Sequence, residues 1–419
     1  MPRRSPLRFA SHLVVLAVAA LAACSYAKVP APVSNPQSPF YGRFPPPPPV
    51  VPGAPSPGGP LAATGPAKVA LLVPLSGSNA ELGQAILDAA QLALFEGGGD
   101  RLVLVPRDTG GTASGAAAAA RAVTSEGVGL ILGPLLAPEV EAVKPIAQNA
   151  HINVIAFSTQ TGLAGGDVFL MGFLPRQEVV REVAYARQQG LNRFAALVPN
   201  SPYGHLMADA LKEAAPATGA SLGKVEYYDP RAGDVISAVQ RLMPAGIAAS
   251  APDATSSVTP SFDALLLPEG GGKLKQIARQ VRSAGADAKS VRLLGSGLWD
   301  VPDIGSEPAL VGGWFASSPP EARQDFERRY SATYGHNPPR LASLGYDAAA
   351  LAAVLARSGS GEPFSQQAIL NPNGFLGIDG LFRFTPNGLV QRGLAVLQVE
   401  PQGASVVSPP PSRFQDVGY

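Results

Sequence analysis

The sequence is poor in the residue types on which most enzyme sites and nucleic-acid surfaces depend. It holds one cysteine and four histidines in 419 residues, and its 32 basic and 31 acidic residues nearly cancel. A single cysteine excludes an intrachain disulfide bond. Because no block of like charge occurs either, the electrostatics give no reason to expect a nucleic acid as a partner.

The motifs of hydrolases, metal sites and nucleotide sites are also missing. No Gly-x-Ser-x-Gly elbow occurs, and Gly219–Lys224 has the wrong spacing for a phosphate-binding loop. The four histidines lie far apart: His12, His151, His205 and His336. None has a second histidine at metal-ligand spacing. The sequence therefore predicts a non-enzymatic protein without a metal or cofactor.

The beginning of the chain has the layout of an export signal. Basic residues precede the apolar run Leu13–Leu21, which is too short to span a membrane. The small residues before Cys24 resemble the lipobox of bacterial lipoproteins, in which the cysteine carries the lipid. Residues 1–23 are therefore predicted to be a lipoprotein signal peptide. Ser25, in place of an aspartate, resembles the sorting signal for the periplasmic face of the outer membrane in Gram-negative bacteria.

Residues 24–67 are predicted to form a lipidated, proline-rich tether. Proline, alanine, glycine and serine dominate this segment, which includes the unbroken run Pro45–Pro49. Such a composition cannot bury a core and favours the polyproline II conformation. We expect this segment to hold the folded part away from the membrane.

From residue 68 onward, short apolar runs alternate with longer helical segments, the pattern of a parallel sheet wound by crossover helices. The first strands are predicted at Val69–Val73, Leu102–Val105, Gly129–Leu132 and Asn153–Ala156. A second series of this kind runs from Arg193 to Gly295, interrupted by a predicted loop insertion at Pro244–Pro260. The pattern indicates an α/β protein with two doubly wound lobes. In such folds ligands bind at the carboxyl ends of the strands.

The last part of the chain is predicted to add strands and a tail. Leu310–Phe315 has the composition of a strand. Leu381–Phe384 and Leu394–Val399 are predicted to form a terminal hairpin around the turn signal Asn387-Gly388. Residues 404–419 are predicted to be a disordered tail.

The order of these segments resembles type I periplasmic binding proteins over nearly all of residues 68–400. The strongest marker is Tyr330–Ala350, with its Tyr-Gly, Pro-Pro and Gly-Tyr-Asp-Ala elements. The resemblance implies two Rossmann-like lobes with parallel sheets, three crossovers and a ligand cleft between the lobes. It implies crossovers near Leu174, Asp300 and Asn371, which assigns residues 68–174 and 301–371 to the first lobe and residues 175–300 and 372–403 to the second.

Two branches of this group compete for the function. Leu298-Trp299-Asp300, Gly313–Ala316 and Gly377–Phe384 resemble the penicillin-binding-protein activators, lipoproteins that stimulate peptidoglycan synthases from the outer membrane. The predicted lipid anchor and tether favour the same branch. The resemblance then implies a non-enzymatic lipoprotein that contacts the membrane through its lipid and regulates cell-wall synthesis by activating such a synthase. The alternative is a solute-binding lipoprotein of an ABC transporter for amino acids or amides. A sensor of wall fragments is not separable from the first reading.

The loop after the third strand also favours the activator branch. Amino-acid binders of this fold commonly carry a hydroxyl residue there, whereas this chain has Gly133-Pro134-Leu135-Leu136. A ligand carboxylate without a hydrogen-bond partner would be costly to bury. Ser158 and Thr159 in the next loop leave room for a small polar ligand.

The candidate cleft residues follow strands, begin helices or lie beside crossovers: Ser76, Gly77, Pro134, Leu135, Ser158, Thr159, Tyr203, Glu269, Trp299 and Asp300. For the serines and threonine, ligand binding and helix capping are both open. Tyr203 is a candidate for stacking on a ligand or for packing the helix start. Glu269 is a candidate partner for a ligand amine or an exposed turn carboxylate. Trp299 is a candidate ligand lid, partner contact or core side chain.

Overall fold

The computed structural model describes residues 65–97, 101–231, 235–243, 261–358 and 362–414. The predicted signal peptide, Cys24, the tether up to residue 64 and the insertion at 244–260 lie outside these ranges. None of the helices within them combines the length and apolar character that a membrane span needs.

Strands and helices alternate along most of the chain. The strands are β1 (Ala67–Val73), β2 (Leu102–Asp108), β3 (Leu130–Leu132), β4 (Asn153–Ala156), β5 (Val168–Leu170), β6 (Arg193–Pro199), β7 (Ser221–Tyr228), β8 (Ala264–Leu266), β9 (Arg292–Leu294), β10 (Trp314–Ser317), β11 (Phe375–Gly377), β12 (Gly380–Phe384), β13 (Val390–Arg392), β14 (Ala395–Glu400) and β15 (Gly403–Ser408). The helices are α1 (Ala80–Gly97), α2 (Ala113–Ser125), α3 (Ala137–Asn149), α4 (Pro175–Gln188), α5 (Pro202–Ala217), α6 (Ile236–Leu242), α7 (Gly271–Ser283), α8 (Pro320–Tyr334), α9 (Ala342–Arg357) and α10 (Gln366–Ile369).

Local sequence explains where several helices begin and end. The Ser201 hydroxyl accepts the Gly204 N–H at 3.2 Å and Pro202 occupies the first position of α5, which together form a favourable helix start. Gly335 ends α8 in the left-handed conformation, with φ of 81°. The central strands are apolar on both faces because helices cover both sides of a parallel sheet.

Two sheets form two lobes of like topology. The first lobe holds a parallel sheet in the order β2-β1-β3-β4-β5. The second lobe holds the parallel order β7-β6-β8-β9-β10, extended by the antiparallel strands β14 and β15. The two-lobed α/β architecture predicted from the sequence is thus confirmed.

Each lobe has its own apolar core. In the first, Leu71 and Leu132 pack with Leu344 of α9 and with Phe382 of the small sheet β11-β12-β13. Helix α8 also belongs to this lobe, since its aromatic side chains pack against the buried face of α1. In the second lobe, α4, α5 and α7 cover the sheet. Burying one leucine or phenylalanine side chain stabilises the fold by about 1.5–3 kcal/mol.

The lobe boundaries differ from the prediction after residue 300. Strand β10 pairs with β9, so the chain leaves the second sheet only after Ser317, not near Asp300. The predicted strand Leu310–Phe315 is a short 3-10 turn followed by β10. The chain returns to the second sheet at Gly393–Leu394, not near Asn371. An apolar run alone does not specify which of two sheets a fifth strand joins.

The predicted terminal hairpin and tail were also wrong. The Asn387-Gly388 turn is present, but it joins β12 to β13, whereas the next strand, β14, pairs with β10 in the other lobe. Within the predicted tail, residues up to 408 form β15 against β14. The tail prediction failed because this strand is short and partly exposed and gives little apolar signal. Residues 415–419 lie outside the described ranges.

Candidate ligand cleft

The carboxyl ends of the parallel strands place the candidate residues in two sets, one for each lobe. In both sheets the strand order reverses between the first and third strands of the lobe, at β1/β3 and at β6/β8. Loops diverge at such a switch point and leave a crevice, where α/β proteins bind ligands.

In the first lobe, Asp108 at the end of β2 organises the loop that follows β1. Its Oδ1 accepts backbone N–H groups of Leu75 at 2.8 Å, Ser76 at 3.2 Å and Gly110 at 2.7 Å. A hydrogen bond from the Ser76 side chain is the largest cause that lowers the pKa of Asp108. Ser76 and Gly77 are both exposed at this edge.

The loop after β3 is apolar and tightly packed. Gly133 and Pro134 are joined by a cis peptide bond, and the Pro134 carbonyl accepts the Phe157 N–H at 2.9 Å. Pro134 and Leu135 are buried, so this loop presents no hydroxyl group to a ligand. Buried Glu139 caps the start of α3 by accepting the Leu136 N–H at 3.0 Å.

The loop after β4 carries the two hydroxyl residues predicted from the sequence. Ser158 is buried, and its Oγ accepts the Gln160 N–H at 3.2 Å. Its neighbour Thr159 is exposed. The structure thus commits Ser158 to its own loop and leaves Thr159 facing solvent.

In the second lobe, Tyr203 in the first turn of α5 is hydrogen-bonded to the Ser296 side chain, which follows β9. Burial raises the pKa of the Tyr203 phenol, and the negative charges of Glu178 and Glu269 raise it further. The tyrosine is therefore part of a polar group in which residues of α4, α5 and two strand ends come together.

Glu269, which follows β8, belongs to the same wall. Its Oε2 accepts the phenol O–H of Tyr228, and its Oε1 accepts the Gly270 N–H at 3.1 Å. Tyr228 is buried at the end of β7, and burial, with Glu269 next, raises its pKa. Among the described residues, no lysine or arginine forms an ion pair with Glu269.

Trp299 and Asp300, unlike the other candidate cleft residues, serve the packing of the second lobe and its contact with the first. Trp299 is fully buried, and its Nε1 donates to the Leu267 carbonyl at 3.2 Å, so the lid and partner-contact roles considered for it are excluded by burial. Asp300 forms a two-pronged ion pair with Arg323 of α8 and accepts the Ser317 hydroxyl at 2.5 Å. Asp300 therefore ties the second lobe to a helix of the first.

Sequence reasoning missed two glutamates on α4. Glu178 accepts the Gly297 N–H at 2.8 Å, and burial raises its pKa to about 7. Glu182 accepts the Ala316 N–H at 2.7 Å, its other oxygen has no partner, and burial raises its pKa well above the usual range. Their spacing could have indicated them, because residues four apart share a helix face and each of these glutamates directly precedes a buried valine.

A buried charged cluster lies where the crossovers meet, and it was also missed. The guanidinium groups of Arg340 and Arg392 lie 4.1 and 4.9 Å from the ring centre of Phe173. Arg340 pairs with Asp379 at 2.7 Å. Asp347 accepts the Ile378 N–H at 2.7 Å. Burial, with Asp379 next, raises the Asp347 pKa to about 7.

The arrangement provides hydrogen-bonding groups and charge but no assembled catalytic set. The three histidines within the described ranges have different partners: His151 ends α3 with a φ of 54°, His205 bonds Asn200, and His336 contacts the Asn337 carbonyl. No group of three potential metal ligands occurs in the part of the chain that the structure describes.

Comparisons with known proteins give the same two-lobed fold. A putative branched-chain amino acid ABC transporter protein from Rhodospirillum rubrum is 20% identical, with a TM-score of 0.70 over 82% of this chain and 100% of that chain. The LivJ substrate-binding protein from Streptococcus pneumoniae, in complex with isoleucine, is 20% identical, with a TM-score of 0.56 over 82% and 100%. A solute binding protein from R. palustris, in complex with benzoate, is 18% identical, with a TM-score of 0.57 over 85% and 99%.

A curated relative is an uncharacterised protein of Rickettsia prowazekii (strain Madrid E), 23% identical over 235 residues, or 56% of this chain. The match spans 61% of that relative's length. The model of the family described as periplasmic binding protein matches residues 66–404, and this family suggests a periplasmic location. Because the match covers most of the chain and both lobes, the chain belongs to the periplasmic binding protein family.

Proposed function

We propose that this chain is a non-enzymatic solute-binding protein of the ABC-transporter type, which holds a small organic molecule between its two lobes. The observation that carries the proposal is the polar wall of the second lobe. Tyr203, Tyr228 and Glu269 come together there with Ser296 and Glu178 at the strand ends, where this fold binds ligands. The solute-binding neighbours support the transporter reading over the synthase-activating one that the sequence favoured.

The charge of this polar wall restricts the chemical class of the solute. The second lobe contributes the carboxyl groups of Glu269 and Glu178 near its strand ends, and the first lobe contributes the buried apolar loop at Leu135 and the exposed Thr159. The loop Gly133–Ala137 contains no lysine or arginine, so a ligand carboxylate would be costly to bury against it. We therefore expect an amine- or amide-bearing solute to bind more tightly than a simple carboxylate.

Thermal unfolding of the chain with isoleucine, benzoate and propionamide tests the proposal. A ligand that binds only the folded state stabilises it by RT ln(1 + [L]/Kd), about 2.7 kcal/mol at one hundred times Kd. We expect the largest stabilisation from propionamide, a smaller one from isoleucine, whose ammonium group is offset by its carboxylate, and none from benzoate. If none of the three solutes, and none of a wider panel of amines and amides, shifts the thermal unfolding transition at millimolar concentration, solute binding is ruled out as the main function.

The lipoprotein that activates a peptidoglycan synthase is the second candidate. The buried Leu135 loop favours it, since that loop lacks the hydroxyl expected of an amino-acid binder. In this case the chain is anchored through Cys24 at the outer membrane. Glycan polymerisation by a purified penicillin-binding protein, with and without the lipidated chain, provides the test. Unchanged polymerisation together with no complex in sedimentation would dismiss the activator role.

A further inference from the structure

The segment after β15 crosses from one lobe to the other. Strand β15 ends at Ser408 in the sheet of the second lobe. Six residues later, Phe414 is 3% exposed against the small sheet β11-β12-β13, which packs into the core of the first lobe. Residues 409–414 therefore connect the two lobes in addition to the three crossovers.

Both ends of this segment are held. At the second lobe, Nη2 of Arg181 on α4 donates to the Ser408 hydroxyl at 2.6 Å and to the Pro409 carbonyl at 3.3 Å. At the first lobe, the Arg383 guanidinium stacks 4.4 Å from the ring centre of Phe414. Gly374 forms the rest of the seat, because a Cβ on it would lie 2.6 Å from the Phe414 ring.

The middle of the segment is stiff and runs beside the third crossover. Its first three residues are Pro409-Pro410-Pro411, and Pro411 packs on Gly393, where a Cβ would lie 3.1 Å from the proline ring. Even when fully extended, at roughly 3.5 Å per residue, six residues span only about 21 Å. The three prolines fix φ at half of the positions, so the segment can lengthen only by straightening the bends at residues 412–413 when its ends move apart.

We propose that residues 409–414 are an inter-lobe strap that limits how far the two lobes open. Opening that separates β15 from the small sheet must either stop when the strap is taut or pull Phe414 from its seat. The strap acts on lobe geometry, so its role does not depend on the identity of the molecule that the cleft binds.

Pulsed electron paramagnetic resonance on the chain with Cys24→Ser, Ser78→Cys and Pro230→Cys tests the strap. The two labels are at the edges of opposite lobes, after β1 and β7 respectively. We expect Phe414→Ala to lengthen and broaden the inter-lobe distances, and to raise hydrogen exchange of the amides at Met171–Leu174 by ~10-fold or more. Phe95→Ala, which removes a 68% exposed aromatic side chain on α1, is the matched control and should change neither.

A truncation pair covers the case in which Phe414→Ala fails to fold. A chain that ends after Ser408 should behave as Phe414→Ala does, whereas one that ends after Phe414 should match the full chain. Unaltered inter-lobe distances in the chain that ends after Ser408 would overturn the strap.

Discussion

Each loop at the cleft edge of one lobe has a counterpart in the other, because both sheets place their second, first, third, fourth and fifth strands in the same order. The loops after the first strands are built alike. A Cβ on Gly83 would lie 1.8 Å from the Pro74 carbonyl oxygen, and one on Gly204 would lie 1.9 Å from that of Pro199. In both lobes, glycine lets the following helix approach the strand end closely.

The loops after the third and fourth strands differ between the lobes. After β3 the first lobe has buried Pro134 and Leu135, whereas after β8 the second lobe has Glu269 bonded to a tyrosine. After β4 the Ser158 hydroxyl caps its own loop, whereas after β9 the Ser296 side chain also bonds Tyr203. In the solute-binding role that we propose, the second lobe would supply the polar contacts and the first lobe mainly the shape of the site.

Two buried carboxyl groups, one in each lobe, differ in their partners. In the first lobe, Asp379 is buried with an arginine partner. In the second lobe, Glu182 is equally buried but accepts only a backbone N–H. Neighbouring arginines hold the pKa of Asp379 below its usual range despite burial, whereas burial raises the pKa of Glu182 well above its usual range.

The largest effect we predict follows from this difference. Asp379→Asn should lower the free energy of unfolding by about 3 kcal/mol or more, because it leaves buried Arg392 and the paired Arg340 without their carboxylate. Glu182→Gln keeps an acceptor for the Ala316 N–H and removes no ion pair, so it should change stability by less than ~1 kcal/mol. Urea unfolding at pH 7 measures both, and equal losses would contradict the contrast.

Substitutions of polar residues in the second lobe should weaken ligand binding more than substitutions in the first lobe. Once a solute is found, Glu269→Gln should weaken its binding by roughly 10- to 100-fold, since a hydrogen bond to a charged group contributes about 1.5–3 kcal/mol. Ser158→Ala should weaken it by less than ~3-fold, because that hydroxyl is already used within its loop. Isothermal titration calorimetry measures the dissociation constants. A larger loss with Ser158→Ala would reverse the assignment of recognition to the second lobe.

The sequence predicted the elements better than their assembly. Asn153–Ala156 was correct to the residue, because a short apolar run bounded by turns is a local signal. The partner of β10 and the pairing of β14 were wrong, because two apolar strands of similar length fit either sheet. Non-local pairing leaves no trace in periodicity.

The candidate site shows the same limit. Ser158 and Glu269 were found because they follow strands, and strand ends are readable from the pattern. Trp299 was considered as a lid, but Gly295 gives its ring the space to pack inside the lobe: a Cβ there would lie 2.2 Å from the indole. Glu178 was missed because it contacts the loop after β9, at Gly297, from a helix and does not itself follow a strand.

The last predicted effect is a response to pH that has opposite signs at two carboxyl groups, one in each lobe. The folded pKa of Asp108 in the first lobe lies below its usual value, so its contribution to stability is present above the unfolded pKa and is lost as the pH falls through the folded one. Glu178 in the second lobe has a folded pKa of about 7, so between its unfolded pKa and 7 the native state binds the extra proton and stability falls as the pH rises.

Two isosteric variants separate these signs. Glu178→Gln keeps an oxygen for the Gly297 N–H, so relative to wild type it should gain stability as the pH goes from 5 to 8, through removal of the cost of ionising a buried acid. Asp108→Asn should lose stability at pH 7 and match wild type near pH 2. Differential scanning calorimetry from pH 2 to 8 measures these differences. Because each variant is compared with wild type at every pH, the titration of Glu182 and Asp347 cancels from the difference. A Glu178→Gln difference that stays constant from pH 5 to 8 would mean that this carboxyl is already ionised, and the second lobe would then present a fixed negative charge to the cleft.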